Sequence, residues 1–260
     1  MAKPSATNTA GNLPGTVYLI GAGPGAADLI TVRGARLLAM ADVVLHDALV
    51  TPEMLELCPQ AIKIPVGKRS GLRSAAQSFI NQQIIESALR YSLVVRLKGG
   101  DPMLFGRADE EMSAMEEAGI YFEIVPGITT AVAAAASVRQ PLTKRGVARS
   151  VAFFTSSTAP GEEADTRLPD CDTLVQYMGG KEASLTAQRM LAAGHPASLP
   201  LIAIENCSRP NERWQHLTLA DLSLGLPACE GPVLVMMGEA MRQRKQTKKQ
   251  SQFVCAMPYE

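Results

Sequence analysis

Three loops in the first half of the chain combine bare backbone with charge or hydroxyl groups: "GAGPG" at residues 21–25, "GGDP" at 99–102 and "PGITTA" at 126–131. Glycine lets a ligand approach the main chain without a Cβ in the way. Asp101 precedes Pro102, which biases it toward extended backbone and helps hold its carboxylate in place. A carboxylate held there accepts hydrogen bonds from ribose hydroxyls or an ammonium group. Asp47 closes the apolar run "DVVLHD", while Lys68 and Arg69 lie in "VGKRS". Arg107 follows "GGDPMLFG" and falls where a helix begins, at "ADEEMSAMEEAG". A cation is unfavourable at a helix N-terminus, so another interaction must hold it: a substrate carboxylate, or Glu110 or Glu111 one turn later. A guanidinium stays protonated, which suits Arg107 to anion binding and not to base catalysis.

The elements that would position these groups follow from periodicity. "TVYLIGAG", "DVVLHD", "AIKIPVGK", "LVVRLKGG" and "IYFEIV" read as strands. Helical spacing runs through "DLITVRGARLLAMA", "SAAQSFINQQIIESALRY" with Ser74 as N-cap, "ADEEMSAMEEAG" closed by Gly119, and the Ala-rich "TTAVAAAASV". Strands alternating with helices imply a mostly parallel α/β sheet. Each of the loops above then follows a strand, and ligands bind in the crevice outside the carboxyl edge of such a sheet. The expected ligand is small, polar and nucleoside-containing.

After "RQPLTKRGVARS" the rhythm changes. "VAFFTS", "TLVQYM", "PLIAIE", "RWQHLTL" and "PVLVMMG" are strand candidates, with helical patterns only around 183–193 and 219–224. That implies a mixed sheet. The expected organisation is a tail over 1–15, an α/β domain over 16–142, a second over 143–241 and a basic tail over 242–260, with the boundary near 140–150.

"GAGPGA" also fits the GxGxxA dinucleotide fingerprint, and Asp47 ends the second strand as a ribose-binding acid would. The alternative reading is therefore an NAD-dependent oxidoreductase. Pro24 is awkward for it, because it removes an N–H from a loop meant to bind pyrophosphate. "VGKRS" resembles the end of a phosphate loop, but Ile62 stands at the first glycine and Arg69 at the Ser/Thr.

Composition excludes several classes. Lys and Arg balance Asp and Glu at 25 each, so no global attraction to nucleic acid or to an anionic membrane is expected. Five cysteines without a CxxC argue against a disulfide framework or zinc site and fit reduced thiols in a cytoplasm. Three histidines, none at metal-ligand spacing, imply no metal centre. No stretch reaches membrane-spanning length, and the first fifteen residues lack the apolar core of a signal peptide.

In combination, "VYLIGAGPGAADLITVRGARLLAMADVVLHDALV", "VGKR", "VVRLKGGDPMLFGRADEE", "VPGITTAVAAAA", "PLTKRG" and "YMG" make the chain resemble the S-adenosylmethionine-dependent uroporphyrinogen-III C-methyltransferases, within the wider tetrapyrrole methylase family. The resemblance implies two α/β domains with S-adenosylmethionine between them, S-adenosylhomocysteine as product, a cytoplasmic homodimer, and two methylations of uroporphyrinogen III that give precorrin-2 by way of precorrin-1. It places cofactor contacts at Pro24, Gly99, Gly100, Asp101, Leu104, Thr129, Thr130, Met178 and Cys207. The relatives usually carry glycine where Cys207 stands. Asp47 and Lys68 match a proton acceptor and donor, and Arg107 and Glu110 match substrate-facing positions, with Glu110 a rival base. The eight carboxylates of the substrate would meet Arg107, Arg145 and Arg149, with Lys144 and Arg69 nearby. A methylase of a later corrin intermediate is the alternative within the family. The motifs do not separate a product destined for sirohaem, cobalamin or haem d1.

Overall fold

The computed structural model describes residues 13–67, 73–157 and 167–243, with backbone alone for 73–76. Lys68, Arg69 and most of both expected tails lie outside them. The first sheet is formed by β1 (Thr16–Gly21), β2 (Val43–His46), β3 (Ile62–Pro65), β4 (Leu93–Lys98) and β5 (Phe122–Val125). Its order is β3-β2-β4-β1-β5 and every pairing is parallel. The all-parallel arrangement matches the alternation in sequence. Strands β1, β2 and β4 are buried on both faces, and their side chains divide between two cores. Val17, Leu19, Val43, Leu45 and Val94 face α3 (Arg73–Arg90) and α4 (Ala108–Glu117). Ile20, Val44, Val95 and Leu97 face α1 (Val32–Leu38) and α2 (Pro52–Leu55). This is the alternation that a strand covered on both sides requires.

The local expectations need two corrections. The stretch expected as one helix from "DLIT" onward is a 3-10 turn, Ala27–Leu29, followed by α1, whose first turn is capped by Thr31 Oγ1 accepting from Gly34 N at 3.1 Å. Helix α3 already includes Arg73, so Ser74 sits inside it and is not its N-cap. Gly119 does close α4, at φ +66°, with its N–H donated to Glu116 O at 3.0 Å.

The second sheet comprises β6 (Val151–Thr155), β7 (Thr173–Tyr177), β8 (Pro200–Glu205), β9 (Arg213–Thr218) and β10 (Val233–Met237), in the order β6-β7-β10-β8-β9. The pair β6/β7 is parallel and the others are antiparallel, as a mixed sheet implies. Helices α6 (Gly179–Ala192) and α7 (Leu219–Ser223) cover one face. The other face receives α5 (Thr130–Ser137), through Ala131, Ala134 and Val138 against Val175, Ile202, Leu234 and Met236. Its small side chains let the helix lie close on the sheet. Helix α5 thus precedes the boundary expected near 140–150 but packs with the second sheet. Among the described residues no helix is long and apolar enough to cross a membrane.

Candidate functional site

All five carboxyl ends of the first sheet lie on one edge, and their loops are bonded to one another. Gly23 N donates to Gly100 O at 3.1 Å and Gly100 N to Gly23 O at 2.7 Å, joining the loops after β1 and β4. These neighbouring strands send their chains to helices on opposite faces, α1 and α4, which makes their junction the switch point where such sheets bind ligands. A Cβ on Gly127 would lie 2.3 Å from Gly100 O, and one on Gly21 would lie 2.5 Å from Gly127 Cα. Gly21 and Gly127 are therefore required by loop-on-loop packing. Gly100 differs: its φ is +71° and a Cβ there would meet nothing within 4 Å. It presents open space at the centre of the edge.

The two aspartates also act on the loops. Asp101 Oδ1 accepts from Met103 N and Oδ2 from Gly127 N, both at 2.8 Å. Asp47 Oδ1 accepts from Leu49 N at 2.9 Å and Oδ2 from Gly99 N at 3.1 Å. Both carboxylates are thus held in place by backbone donors. The N–H groups of Gly99 and Gly100 are bonded within the protein, and each aspartate oxygen keeps only its remaining lone pair for a ligand.

The second sheet closes the crevice. Tyr177, at the end of β7, places its hydroxyl 2.5 Å from Thr129 Oγ1 and accepts from Ala131 N at 3.1 Å, so a strand of one sheet caps the helix that leaves the other. Burial pushes the Tyr177 phenol above its usual range, partly offset by these two bonds. Its ring lies 5.0 Å from Phe105 and 6.0 Å from Phe153. A Cβ on Gly25 would lie 3.1 Å from Cys207 O, so the expected Cys207 backbone does reach the "GAGPG" loop. The Cys207 thiol is buried, and that burial, with Glu212 beside it, raises it to about 12. Ser208 Oγ accepts from Ala26 N at 3.1 Å and Arg209 Nη2 donates to Leu49 O at 2.8 Å. Met178 is half exposed and not a core residue. Phe105, Arg107 and Met178 all hold left-handed backbone, at φ 51°, 55° and 56°. Side chains rarely adopt it, and such strain concentrates at functional sites.

The loops that carry Pro24, Gly99, Gly100, Asp101, Leu104, Thr129 and Thr130 thus lie at one edge of the first sheet, and the second sheet meets that edge through Tyr177, which Met178 follows, and through the backbone of Cys207. The loop at 21–25 opens onto the 3-10 turn, and α1 begins only at Val32. A dinucleotide fingerprint leads directly into a helix N-terminus, so the NAD reading loses its geometric basis. Arg107 pairs through both Nε and Nη2 with Glu110, each at 2.6 Å, with both side chains nearly half exposed. Of the two expected partners one turn away, Glu110 is the one observed, while Glu111 turns inward. Arg145 and Arg149 are not brought to the crevice. Arg149 N donates to Asp172 Oδ2, before the start of β6 and β7, whereas Met178 follows the end of β7. A strand of that length separates them by roughly 15 Å. Arg145 lies in the turn closed by the Lys144–Ala148 bridge, just before Arg149.

Sequence reasoning missed the groups beneath the loop. Arg96 Nε and Lys98 Nζ reach the same oxygen of Glu111, Oε1, at 3.1 and 2.8 Å, with all three side chains buried. Burial and the neighbouring Arg96 hold the Lys98 ammonium below its ordinary range. The signal was available: two cations at i and i+2 in a strand flanked on both sides must turn inward together. Tyr177, Ser208 and Arg209 carried no comparable signal.

The profile of the tetrapyrrole (corrin/porphyrin) methylases matches residues 16–223. Over 253 residues the chain is 40% identical to the uroporphyrinogen-III C-methyltransferase of Paracoccus denitrificans, covering 95% of this chain and 85% of that protein. It is 42% identical to siroheme synthase 1 of Yersinia enterocolitica over 87% of this chain, but spans only 49% of that longer protein. A crystal structure of the Thermus thermophilus uroporphyrin-III C-methyl transferase, complexed with S-adenyl homocysteine, superposes with a TM-score of 0.76 at 35% identity, covering 88% of this chain and 99% of that one. With this profile match, this identity and the same two-sheet architecture, the chain belongs to the tetrapyrrole (corrin/porphyrin) methylases, enzymes that use S-adenosylmethionine as methyl donor.

Proposed function

We propose that this protein methylates uroporphyrinogen III twice, giving precorrin-2 by way of precorrin-1 and releasing S-adenosylhomocysteine. The observation that carries the reading is the crevice around Gly100. Loops from the ends of β1, β2, β4 and β5 converge there, Tyr177 and Met178 close it, and the one glycine at its centre leaves its Cβ direction open. The donor set fits an adenosyl sulfonium: carboxylate and hydroxyl oxygens, backbone carbonyls and apolar side chains. Gly99, Gly100, Asp101, Leu104, Thr129, Thr130 and Pro24 would hold it from one side, and Met178 with the Cys207 backbone from the other. When bound, S-adenosylmethionine supplies a methyl carbon that is already electrophilic.

The chain's own residues supply alignment and proton transfer. The bonded loops fix the crevice before ligand arrives, which favours near-attack geometry. Asp47, at the same edge, is the proton acceptor of this reading, through the lone pairs not used by Leu49 and Gly99. Lys68 is its donor partner and lies outside the described residues. Arg107 stands at the mouth, where a substrate carboxylate would meet its guanidinium beside Glu110. Arg145 and Arg149 belong to the reading only as outer contacts of a large polyanion. The family resemblance supports a homodimer, and the four cysteines among the described residues, all unpaired, support a cytoplasmic site of action.

The test is anaerobic incubation of the purified chain with S-adenosylmethionine and uroporphyrinogen III, counting methyl groups by mass. The expected result is a singly methylated intermediate followed by a doubly methylated product. Absence of transfer to uroporphyrinogen III, with transfer to a later corrin intermediate, would replace this reading by the other one in the family.

A further inference from the structure

The loop after β8 reaches over to the loops of the first sheet. Arg209 lies in it, and the stem of this side chain rests on the loop after β1, since a Cβ on Gly25 would come within 2.8 Å of Arg209 Cγ. Its Nη2 continues to Leu49 O, at 2.8 Å, in the loop after β2. Ser208 Oγ accepts from Ala26 N at 3.1 Å, and Thr51 Oγ1 donates to Gly25 O at 3.2 Å, so all three loops are bonded around this side chain. Arg209 Nε is buried without a hydrogen-bond partner. An unsatisfied buried donor is a cost that a solvated arginine avoids by staying in water, so this side chain is held across the loops and is not a free surface group.

The residue it grips is itself a junction. Leu49 donates its N–H to Asp47 Oδ1 at 2.9 Å and accepts at its C=O from Arg209. Its side chain covers Gly99, where a Cβ would lie 2.8 Å from Leu49 Cβ. The other oxygen of Asp47 accepts from Gly99 N at 3.1 Å. Leu49 is 47% exposed, so no core anchors it, and its polar contacts must fix its place. A shift of Leu49 would pass directly to the Asp47 carboxylate and to the backbone beside Gly100.

We propose that Arg209 is a positioning residue: from the second domain it holds the 47–51 loop, and through Leu49 it sets Asp47 and the Gly99 wall of the crevice. The hold on the loop stands on these contacts alone. Its consequence for methyl transfer rests on the reading of Asp47 as proton acceptor. A merely structural Arg209 makes a different forecast: its loss lowers the melting temperature and leaves the kinetics of the folded protein unchanged.

The experiment compares Arg209→Met, which keeps an apolar stem over Gly25 and loses the donor, with Arg209→Lys, which keeps a donor. Amide hydrogen exchange is followed in both without ligand, beside thermal melts and steady-state methyl transfer to uroporphyrinogen III. In Arg209→Met the Leu49 and Gly99 amides, both donated to Asp47, should exchange at least about tenfold faster, while those of β4 keep their rates. Its kcat should fall by at least about fivefold with KM within about twofold, and Arg209→Lys should recover most of both losses. Unchanged exchange at Leu49 and Gly99 in a folded Arg209→Met overturns the proposal, and so does a wild-type kcat alongside faster exchange. An Arg209→Lys no better than Arg209→Met also overturns it, because the donor to Leu49 O would then not be what matters. Should Arg209→Met fail to fold, Arg209→Leu is judged by the same outcomes. A wild type inactive on uroporphyrinogen III removes the functional reading instead, and the exchange rates alone then decide for or against Arg209.

Discussion

Asp101 Oδ2 accepts the backbone N–H of Gly127 at 2.8 Å, and this single bond joins the loops that follow β4 and β5. The other oxygen turns the chain at Met103. The carboxylate therefore shapes the crevice through two backbone partners before any ligand is considered. In Asp101→Asn the amide nitrogen must face one of two N–H donors, so one bond is lost. An unsatisfied donor costs about 1–3 kcal/mol. The expected outcome is a lower melting temperature and an S-adenosylhomocysteine affinity reduced by at least about fivefold. Wild-type affinity and melting in this variant would show that the tie between the loops is dispensable.

Tyr177→Phe removes a hydroxyl shared by Thr129 and Ala131 while keeping the ring against Phe105 and Phe153. Losing a partly buried hydrogen bond costs about 1 kcal/mol. For a chain of this size that lowers the melting temperature by about 2–4 °C. An unchanged calorimetric melt would mean that the hydroxyl link between the two sheets adds nothing.

Arg107→Lys keeps the charge and loses the planar fork. Its pair with Glu110 is nearly half exposed, so the effect on stability should stay within about 1 kcal/mol. Methyl transfer should nevertheless fall by at least about tenfold, equivalent to 1.4 kcal/mol, with S-adenosylhomocysteine affinity unchanged. Steady-state kinetics at wild-type level would refute a bidentate substrate contact, and a parallel loss of affinity would move Arg107 into the cofactor pocket.

Glu205, on β8, accepts from Arg213 and from the N–H groups of Glu230 and Gly231, the latter two at 2.7 Å. Arg213 first, then the Gly231 amide, holds its carboxyl below the usual 4.5. A depressed carboxyl adds stability that is complete above its unfolded value and lost as pH falls through the folded one. Glu205→Gln should melt lower than wild type at pH 7, and the gap should narrow below about pH 4.5. A gap that stays constant down to pH 3 would exclude Glu205 as a source of acid sensitivity.

The elements of both sheets were legible because their apolar periods are strong and their loops carry glycine and proline. The GxGxxA match illustrates the limit. Its two glycines serve loop packing, Gly21 against Gly127 and Gly23 in a junction with Gly100, which spacing alone does not distinguish from pyrophosphate binding. The single-helix expectation after it failed for a related reason. Periodicity continued through "DLIT", but Thr31 caps a new helix there and interrupts the first.

The sequence by itself determined the parallel first sheet, the mixed second sheet and the edge on which Asp47, Gly100, Asp101 and Thr129 gather, because side-chain periodicity and turn chemistry are local. Tertiary structure decided what each group does at that edge. It bonded Asp101 to Gly127, turned Glu111 inward to Arg96 and Lys98 while Glu110 met Arg107, packed α5 on the second sheet, and set Arg149 at the far end of β6. These outcomes depend on which donor, acceptor or apolar face lies within a few ångströms after folding, and residues distant in the chain supply them.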